Sequence, residues 1–342
     1  MKKISIVTGQ LGRGGQEKQL LLLLKDSEKS SYSITLFNWS GLYDQANLDL
    51  MNSLHNVSYQ SLEGNSFFKK LKVIVFESRD SRALVCFTSY LNFISFILSL
   101  IMRIGFAGAA RSTLGSELKR FSGWVNLLLV PRILCNSRTA LKELKSRSLF
   151  KGHQLLLNRL DISQIPNIQG EMKARSISIG TVNEIKNLDH LIELAIFRRK
   201  NDKKFNHIHL GDGPLLDHYR AIVIEKELSD SICFLGQVDN VYDFLKSSNI
   251  FLHFSCYEGT PNVVLEALSL GLYVVAIRSG DLAYLINQRT GHISTKWDLR
   301  TFDGMIDQFY DSKIGQNNLP EAYRYANDGS YFRNLINLTV KE

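Results

Sequence analysis

The chain has 342 residues, 44% of them hydrophobic, which is enough for buried cores in about two domains of roughly 150 residues each and leaves no low-complexity tract. The net charge of +8 is uneven: residues 1–160 hold 22 Lys/Arg against 10 Asp/Glu (+12), and residues 161–342 hold 19 against 23 (−4). A basic half beside a mildly acidic one suggests that one domain faces an anionic partner such as a membrane surface, a lipid-linked phosphate or nucleic acid.

In chain order, MKKISIVTG is too short in its apolar part for a signal peptide and reads as a first strand, Lys3–Thr8, so secretion is not expected. The loop Gly9–Gly15 (GQLGRGG) leads into a helix over Gln16–Lys25, which holds five consecutive leucines. Strand, glycines and helix start leave free backbone N–H groups to meet a phosphate or sugar. The loop is not G-x-G-x-x-G, and no acidic residue sits ~20 residues on at a strand end, so a nicotinamide site fits poorly. Ser33–Phe37 and Leu84–Phe87 read as strands with loops between them. Leu91–Ile104 is apolar, but it is broken by polar residues and shorter than the ~20 residues of a membrane span, which predicts a buried or surface-docking helix. Phe106–Ala110 and Ile133–Asn136 read as strands. Arg111-Ser112 follows the first, and Asn136-Ser137 after the second caps a helix over 138–145.

Residues 162–172 are polar, contain Pro166 and Gly170, and read as a linker. A strand over Ile177–Ile179 is followed by Gly180-Thr181-Val182-Asn183-Glu184-Ile185-Lys186-Asn187. His207–Leu210 is a strand that ends in the turn Gly211-Asp212-Gly213-Pro214. His207 and His209 alternate with apolar residues and read as sheet residues, as does His253. Residues 302–310 and 321–338 read as helices. The four cysteines (Cys86, Cys135, Cys233, Cys256) form no CxxC pair and no metal-ligand spacing with His, which suggests buried thiols in a reducing compartment.

Asn249–Ala276 is the most informative stretch. An apolar strand, Ile250–Phe254, meets a polar loop, Ser255–Thr260. Thr260 reads as the N-cap and Pro261 as the first residue of a helix that stops near Gly271, and Tyr273–Ala276 is the next strand. Glu258 falls on the loop at the carboxyl end of the strand. Glu266, with seven residues between, falls about one and a half turns into the helix, roughly 8 Å along its axis. Open α/β sheets bind ligands at that end of their strands.

The run Glu258-Gly259-Thr260-Pro261-Asn262-Val263-Val264-Leu265-Glu266-Ala267 resembles the E-x7-E motif of the retaining, nucleotide-sugar-dependent glycosyltransferases of family 4 (group 1). Gly14-Gly15-Gln16-Glu17 resembles that family's GGxE loop, Gly211–Pro214 its GDGP turn, and Leu155–Asp161 the stretch that closes its first domain. Lys186 matches a family lysine six residues after a glycine. The resemblance implies an α/β protein of the GT-B fold, two Rossmann-like domains facing across a cleft. Their extents would be 1–161 and 175–320, with a linker over 162–174 and a C-terminal helix over 321–342 crossing back to the first domain.

Under the same resemblance Glu258 and Lys186 are catalytic. Glu266, Gly259, Thr260, Pro261, Asn262, Gly211, Gly213, Gly14 and Gly15 surround the donor, and Tyr90 and Arg111 lie on the acceptor side. The implied reaction moves a hexosyl group from a nucleoside diphosphate sugar to a glycan or lipid-diphosphate-linked acceptor. The implied setting is bacterial surface polysaccharide synthesis (O-antigen, capsule or exopolysaccharide), in the cytoplasm or on the inner face of the membrane. Neither a metal nor a cofactor beyond the co-substrate is expected, no D-x-D occurs, and nucleic acid is not an expected partner. Four positions depart from the family: Thr181 replaces an arginine, Arg159 a glycine and Tyr284 a glutamate, and the stretch Thr88–Asn92 lacks the usual histidine. A non-catalytic GT-B sugar binder and a nucleotide-sugar epimerase are the alternatives.

Overall fold

The computed structural model describes residues 1–161, 175–312, 323–324 and 328–340. The chain divides into two units, Met1–Asp161 with Tyr325–Glu342, and Ile162–Arg324.

The first unit is built on seven parallel strands: β1 (Lys2–Thr8), β2 (Tyr32–Asn38), β3 (Val57–Ser61), β4 (Ser81–Cys86), β5 (Gly105–Ala110), β6 (Ile133–Cys135) and β7 (Gln154–Leu155). Their order is β3-β2-β1-β4-β5-β6-β7. Parallel strands need crossover helices, and right-handed crossovers place helices on both faces. The sheet is therefore buried on both sides, and β1 reads as a continuous apolar run. One face is covered by the leucine-rich helix Gly15–Ser27 and the last helix, Ser330–Thr339, around Ile4, Ile6, Leu20 and Phe332. The other face holds Val7, Ile74, Leu84, Leu98 and Leu127.

The second unit has six parallel strands: β8 (Ser176–Ile179), β9 (His207–Leu210), β10 (Ile232–Gly236), β11 (Ile250–His253), β12 (Tyr273–Ile277) and β13 (Gly291–Ser294), in the order β10-β9-β8-β11-β12-β13. Each sheet reverses its winding once, between β1 and β4 in the first unit and between β8 and β11 in the second. At those points the loops leaving neighbouring strands diverge and open a crevice.

Several sequence expectations change. Between Ser33 and Leu84 the structure holds two helices, Gln45–Ser53 and Phe67–Ser78, and strand β3. β3 is short and lies at the sheet edge, and its five residues are partly exposed, so it lacks the apolar run that marks a buried strand. Of the helix expected over 321–338, the structure shows Ser330–Thr339; residues 321–322 and 325–327 lie outside the described residues. Gly329, with φ +80°, cannot continue a helix and serves as its N-cap. The proposed linker 162–174 lies outside the described residues. Cys86 and Cys135 are buried, but Cys233 and Cys256 are exposed. Cys233 lies on edge strand β10, where alternate residues face out.

The terminal helix is fixed by one buried carboxylate. Asp26, near the end of helix Gly15–Ser27, accepts from the backbone N–H of Gly329 (3.0 Å) and of Phe332 (2.9 Å), which are orphan donors of the helix start. Asp26→Ala should lower stability by about 2 kcal/mol or more, because it leaves two donors unpaired where water is excluded. Urea unfolding followed by circular dichroism measures this, and a loss below about 0.5 kcal/mol would contradict the role.

Candidate active site

The second unit's site forms where its sheet reverses. The loop after β8 carries Lys186 on a short 3-10 turn, Glu184–Lys186, capped by the Asn183 side chain, which accepts from the N–H of Ile185. The loop after β11 carries Glu258. Lys186 Nζ donates to Glu258 Oε1 at 2.6 Å, and both side chains are mostly buried, 22% and 18% exposed. Burial alone would raise the Glu258 pKa. The Lys186 charge, the nearby His253 and hydrogen bonds from Lys186 and Ser255 outweigh it and hold the carboxyl below the usual glutamate range. Glu258 is thus an ionised carboxylate with an ammonium partner, able to orient a polar ligand and to face developing positive charge.

Asn187 ties the two loops together. It sits in the left-handed region (φ 48°) just after Lys186, and its Nδ2 donates to Phe254 O (3.1 Å) and to Cys256 Sγ (2.6 Å). Cys256 N–H donates to Ile185 O at 3.3 Å. Lys186 therefore meets Glu258 through a stapled pair of loops. His253, the last residue of β11, places Nε2 3.9 Å from Glu258 Oε1. Burial pushes its pKa down to about 4, so it stands neutral beside the pair. Reading His253 as a strand residue was right about its place and silent about its neighbour. Alternation along the strand points its side chain to one face and gives no sign that the loop after β11 folds back over it.

Other loops gather at the same edge of the second unit by close backbone approach. The turn Gly211–Pro214 lies against the loop Gly180–Val182. A Cβ at Gly211 (φ +135°) would meet Gly180 O at 2.1 Å, and one at Gly213 would meet Val182 O at 2.4 Å. Asp281 N–H donates to Gly259 O at 2.9 Å, and a Cβ at Gly280 would meet Gly259 O at 1.9 Å, so only glycine lets the loop after β12 brace the Glu258 loop. Pro261, not Thr260, is the N-cap, and the helix is Asn262–Ser269. Proline has no N–H and its φ of −73° suits an extended cap, while the Thr260 hydroxyl donates to Asp281 Oδ2 at 3.5 Å. Glu266 is buried in this helix.

His207 and His209 belong to a buried relay across β8 and β9. Ser176 Oγ meets His207 Nδ1 (2.9 Å), Ser178 Oγ meets His207 Nε2 (2.9 Å) and His209 Nδ1 (2.7 Å), and His209 Nε2 meets Gly180 O (3.0 Å). A carbonyl only accepts, so His209 Nε2 carries the proton. Ser178 then donates to His209 Nδ1 and accepts from His207 Nε2. The relay reads as two neutral imidazoles that anchor the Gly180 carbonyl, and no group of three or more His, Cys, Asp or Glu suited to a metal occurs among the described residues.

In the first unit the reversal brings together the glycine loop and the end of β4. Gly9 N–H donates to Thr88 Oγ1 (2.8 Å), as does Gln16 Nε2 (3.0 Å), and a Cβ at Gly9 would meet the Tyr90 hydroxyl at 2.6 Å. Gly14 packs on Glu17, and Gly15 starts the helix. Tyr90 is half-exposed, and burial pushes its pKa up. Arg111 lies just beyond β5 with its guanidinium 4.0 Å from the Phe87 ring centroid. Burial lowers its pKa, and the Tyr331 hydroxyl opposes that shift. Thr88 and Gln16 escaped sequence reading, because only the register of β1 against β4 brings them together.

Residues 161–326 match the family model of glycosyl transferases group 1. The chain is 26% identical over 300 residues to a putative glycosyltransferase, EpsF, of Bacillus subtilis, covering 79% of this chain and 78% of that protein. It is 32% identical over 157 residues to the N-acetylgalactosamine-N,N'-diacetylbacillosaminyl-diphospho-undecaprenol 4-alpha-N-acetylgalactosaminyltransferase of Campylobacter jejuni, covering 43% of this chain and 42% of that one. Among solved structures, Anabaena HepE in complex with UDP and glucose aligns with a TM-score of 0.75 at 15% identity, over 98% of this chain and 95% of that one. The fold is GT-B, with two Rossmann-like units.

The buried imidazoles make the second unit acid-sensitive. His209 and His253 are pushed down to about 4 and His207 well below its ordinary value, with burial the main cause in each. Above about pH 6.5 they are neutral whether folded or not. Between about 6.5 and 4 the unfolded chain takes up protons that the folded chain refuses, so stability falls as pH falls. The expected loss at about pH 5, relative to pH 7, is roughly 2 kcal/mol for each of His209 and His253. Urea midpoints across that range measure it, and a flat profile would contradict buried neutral imidazoles.

Proposed function

We propose that this chain, whose residues 161–326 match the group 1 glycosyl transferase model, is a retaining glycosyltransferase of that family. It transfers a hexosyl group from a nucleoside diphosphate sugar to a glycan carried on a lipid diphosphate, in the assembly of a bacterial surface polysaccharide. The observation that carries the reading is the Lys186–Glu258 pair at the point where the second sheet reverses. The Campylobacter relative, whose name specifies a diphospho-undecaprenol acceptor, supports the acceptor class, and the UDP complex of a like-folded protein supports the donor class.

In this reading the bond between the anomeric carbon and the donor's diphosphate oxygen breaks as the acceptor oxygen bonds to the same face of that carbon. The acceptor proton passes to the departing phosphate oxygen. Lys186 faces the charge that builds on the leaving diphosphate, and Glu258 faces the charge that builds on the sugar. The ion pair holds both groups in place, and keeps Glu258 ionised, before substrate arrives. In the second unit Glu266 holds the ribose hydroxyls and Gly259–Asn262, Gly211 and Gly213 border the donor; in the first unit Gly14 and Gly15 offer backbone N–H groups to a phosphate or sugar, and Tyr90 and Arg111 serve the acceptor side. No resident metal enters this scheme. The enzyme works in the cytoplasm, attached to the inner face of the membrane without spanning it. Thr181 and Tyr284, which stand where relatives carry charge, favour a second reading, a sugar binder without turnover. Release of nucleoside diphosphate separates the two readings.

Glu258→Gln keeps size and removes charge. It should cut turnover roughly 10²-fold or more while the circular dichroism spectrum stays unchanged. Retention of more than about half the activity, on the order of 0.4 kcal/mol of barrier, would refute the assignment. Lys186→Ala should raise the Michaelis constant for the donor by about tenfold and leave that for the acceptor nearly unchanged. Equal changes in both constants would make Lys186 a structural prop for Glu258.

A further inference from the structure

Three helices follow β3, β4 and β5: Phe67–Ser78, Asn92–Met102 and Phe121–Leu129. Right-handed crossovers put them on one face of the first sheet, and the middle helix touches both others. Their inner residues, Ile74, Leu98 and Leu127, share one core. The outer face of such a layer is ordinarily polar. Here it is not.

On the first helix Phe68 (75% exposed) and Phe76 are two turns apart, with exposed Lys72 between them. On the second, Ile97, Leu100 and Ile101 (65%) follow i, i+3, i+4 spacing, and on the third Phe121 (85%), Trp124 (50%) and Leu128 follow i, i+3, i+7. Among the described residues, ten of the twenty exposed large hydrophobic side chains sit on these three helices, and only four belong to the whole second unit. A concentration of that kind marks a contact surface.

The charges around this face have one prevailing sign. Lys69, Lys72, Arg103, Lys119 and Arg120 are exposed on or beside the helices, against the partly buried Glu77 and Glu117. The third lysine of the first helix, Lys70, is committed inward: its Nζ donates to Trp39 O at 2.6 Å and lies 4.9 Å from the Trp39 ring centroid. Aromatic and aliphatic side chains ringed by cations suit the headgroup region of a bilayer, where the rings enter the acyl boundary and the cations stay with lipid phosphates. No described helix is long and apolar enough to cross a membrane, so the helices would lie along the surface.

We infer that the outward face of these three helices docks the protein onto an anionic lipid bilayer, with Phe68, Ile101, Phe121 and Trp124 entering it. The inference stands on the first unit alone and does not require the transferase reading. Two contributions act together. The cations draw the protein in over a Debye length of ~8 Å at physiological salt, and the apolar side chains hold it by burial, which salt does not screen.

The full chain should co-sediment with vesicles of phosphatidylcholine mixed with phosphatidylglycerol at low salt. It should partition weakly onto phosphatidylcholine alone and stay partly bound to the mixed vesicles at high salt. The double variant Ile101→Glu with Trp124→Glu should lower the partition coefficient about tenfold or more without lowering the melting temperature. Lys72→Glu with Lys119→Glu should weaken low-salt binding and leave the high-salt remainder nearly intact. Turnover on a soluble acceptor, where the wild type shows it, should be the same in all variants. The inference is overturned if the folded wild type ignores anionic vesicles at low salt, or if the apolar variant binds as well as wild type. It is equally overturned if sedimentation velocity shows a dimer that the apolar substitutions dissociate, which would assign the face to a second copy of the chain.

Discussion

The second unit's carboxyl-end loops depend on holding Lys186 and Glu258 in contact at a place that neither residue's own element determines. Two opposite charges 2.6 Å apart and mostly buried attract strongly only because water is excluded. The same exclusion makes each very costly to bury alone, on the order of 3–5 kcal/mol if its partner is removed. Their loops leave β8 and β11, which are adjacent in the sheet yet far apart in sequence. An ion pair between them therefore exists only when the sheet has closed in its reversed order. The fold makes the pair possible, and the pair then constrains the two loops.

That constraint is met by removing side chains and satisfying backbone. Gly211 and Gly280 stand where a single methyl group would overlap a carbonyl oxygen. Asn187 supplies the bonds that close the gap between the Lys186 and Glu258 loops. Beneath them the Ser176–His207–Ser178–His209 relay ends on Gly180 O, so the loop that starts the approach to Lys186 is anchored from within the sheet. A neutral relay suits this place. Buried imidazolium there would repel Lys186, and the depressed pKa of His209 reflects burial first, with Lys186 adding to it.

The sequence was legible where local chemistry and spacing carried the information. The strand, loop and helix around Glu258 and Glu266 were readable from the apolar runs and the proline and glycine that bound them, whereas the Gly211–Pro214 turn and the Lys186 register stood out through the family resemblance. The α/β class was readable from apolar strands alternating with helical runs. What escaped depends on strand order. The contact of His253 with Glu258, the staple made by Asn187, and the meeting of Gln16 with Thr88 arise between segments that only the sheet brings together. The Thr260 cap was misplaced by one residue, because threonine before proline offers two adjacent candidates and side-chain preference alone does not choose between them. β3 was missed because edge strands need no apolar run, and the start of the terminal helix because Gly329 and Asp26, some 300 residues apart in sequence, set it together.

The two units apply the same sheet topology to opposite ends. The second unit concentrates its information inward, with buried histidines, glycines at van der Waals limits and a paired charge at the carboxyl edge. The first unit carries a looser edge site, in which burial lowers the pKa of Arg111, and spends its apolar surplus outward on one helical layer. An ordinary soluble domain gains nothing from phenylalanine and tryptophan at helical spacing on its outer face, and such residues raise the risk of aggregation. Three consecutive crossover helices repeat the pattern, each with an inner stripe that packs and an outer stripe that does not. Chance placement on one helix would be unremarkable. Repetition on three neighbours that share a core indicates a surface shaped as a unit, and five of the cations in residues 1–160 (Lys69, Lys72, Arg103, Lys119 and Arg120) lie on or beside it as its electrostatic complement.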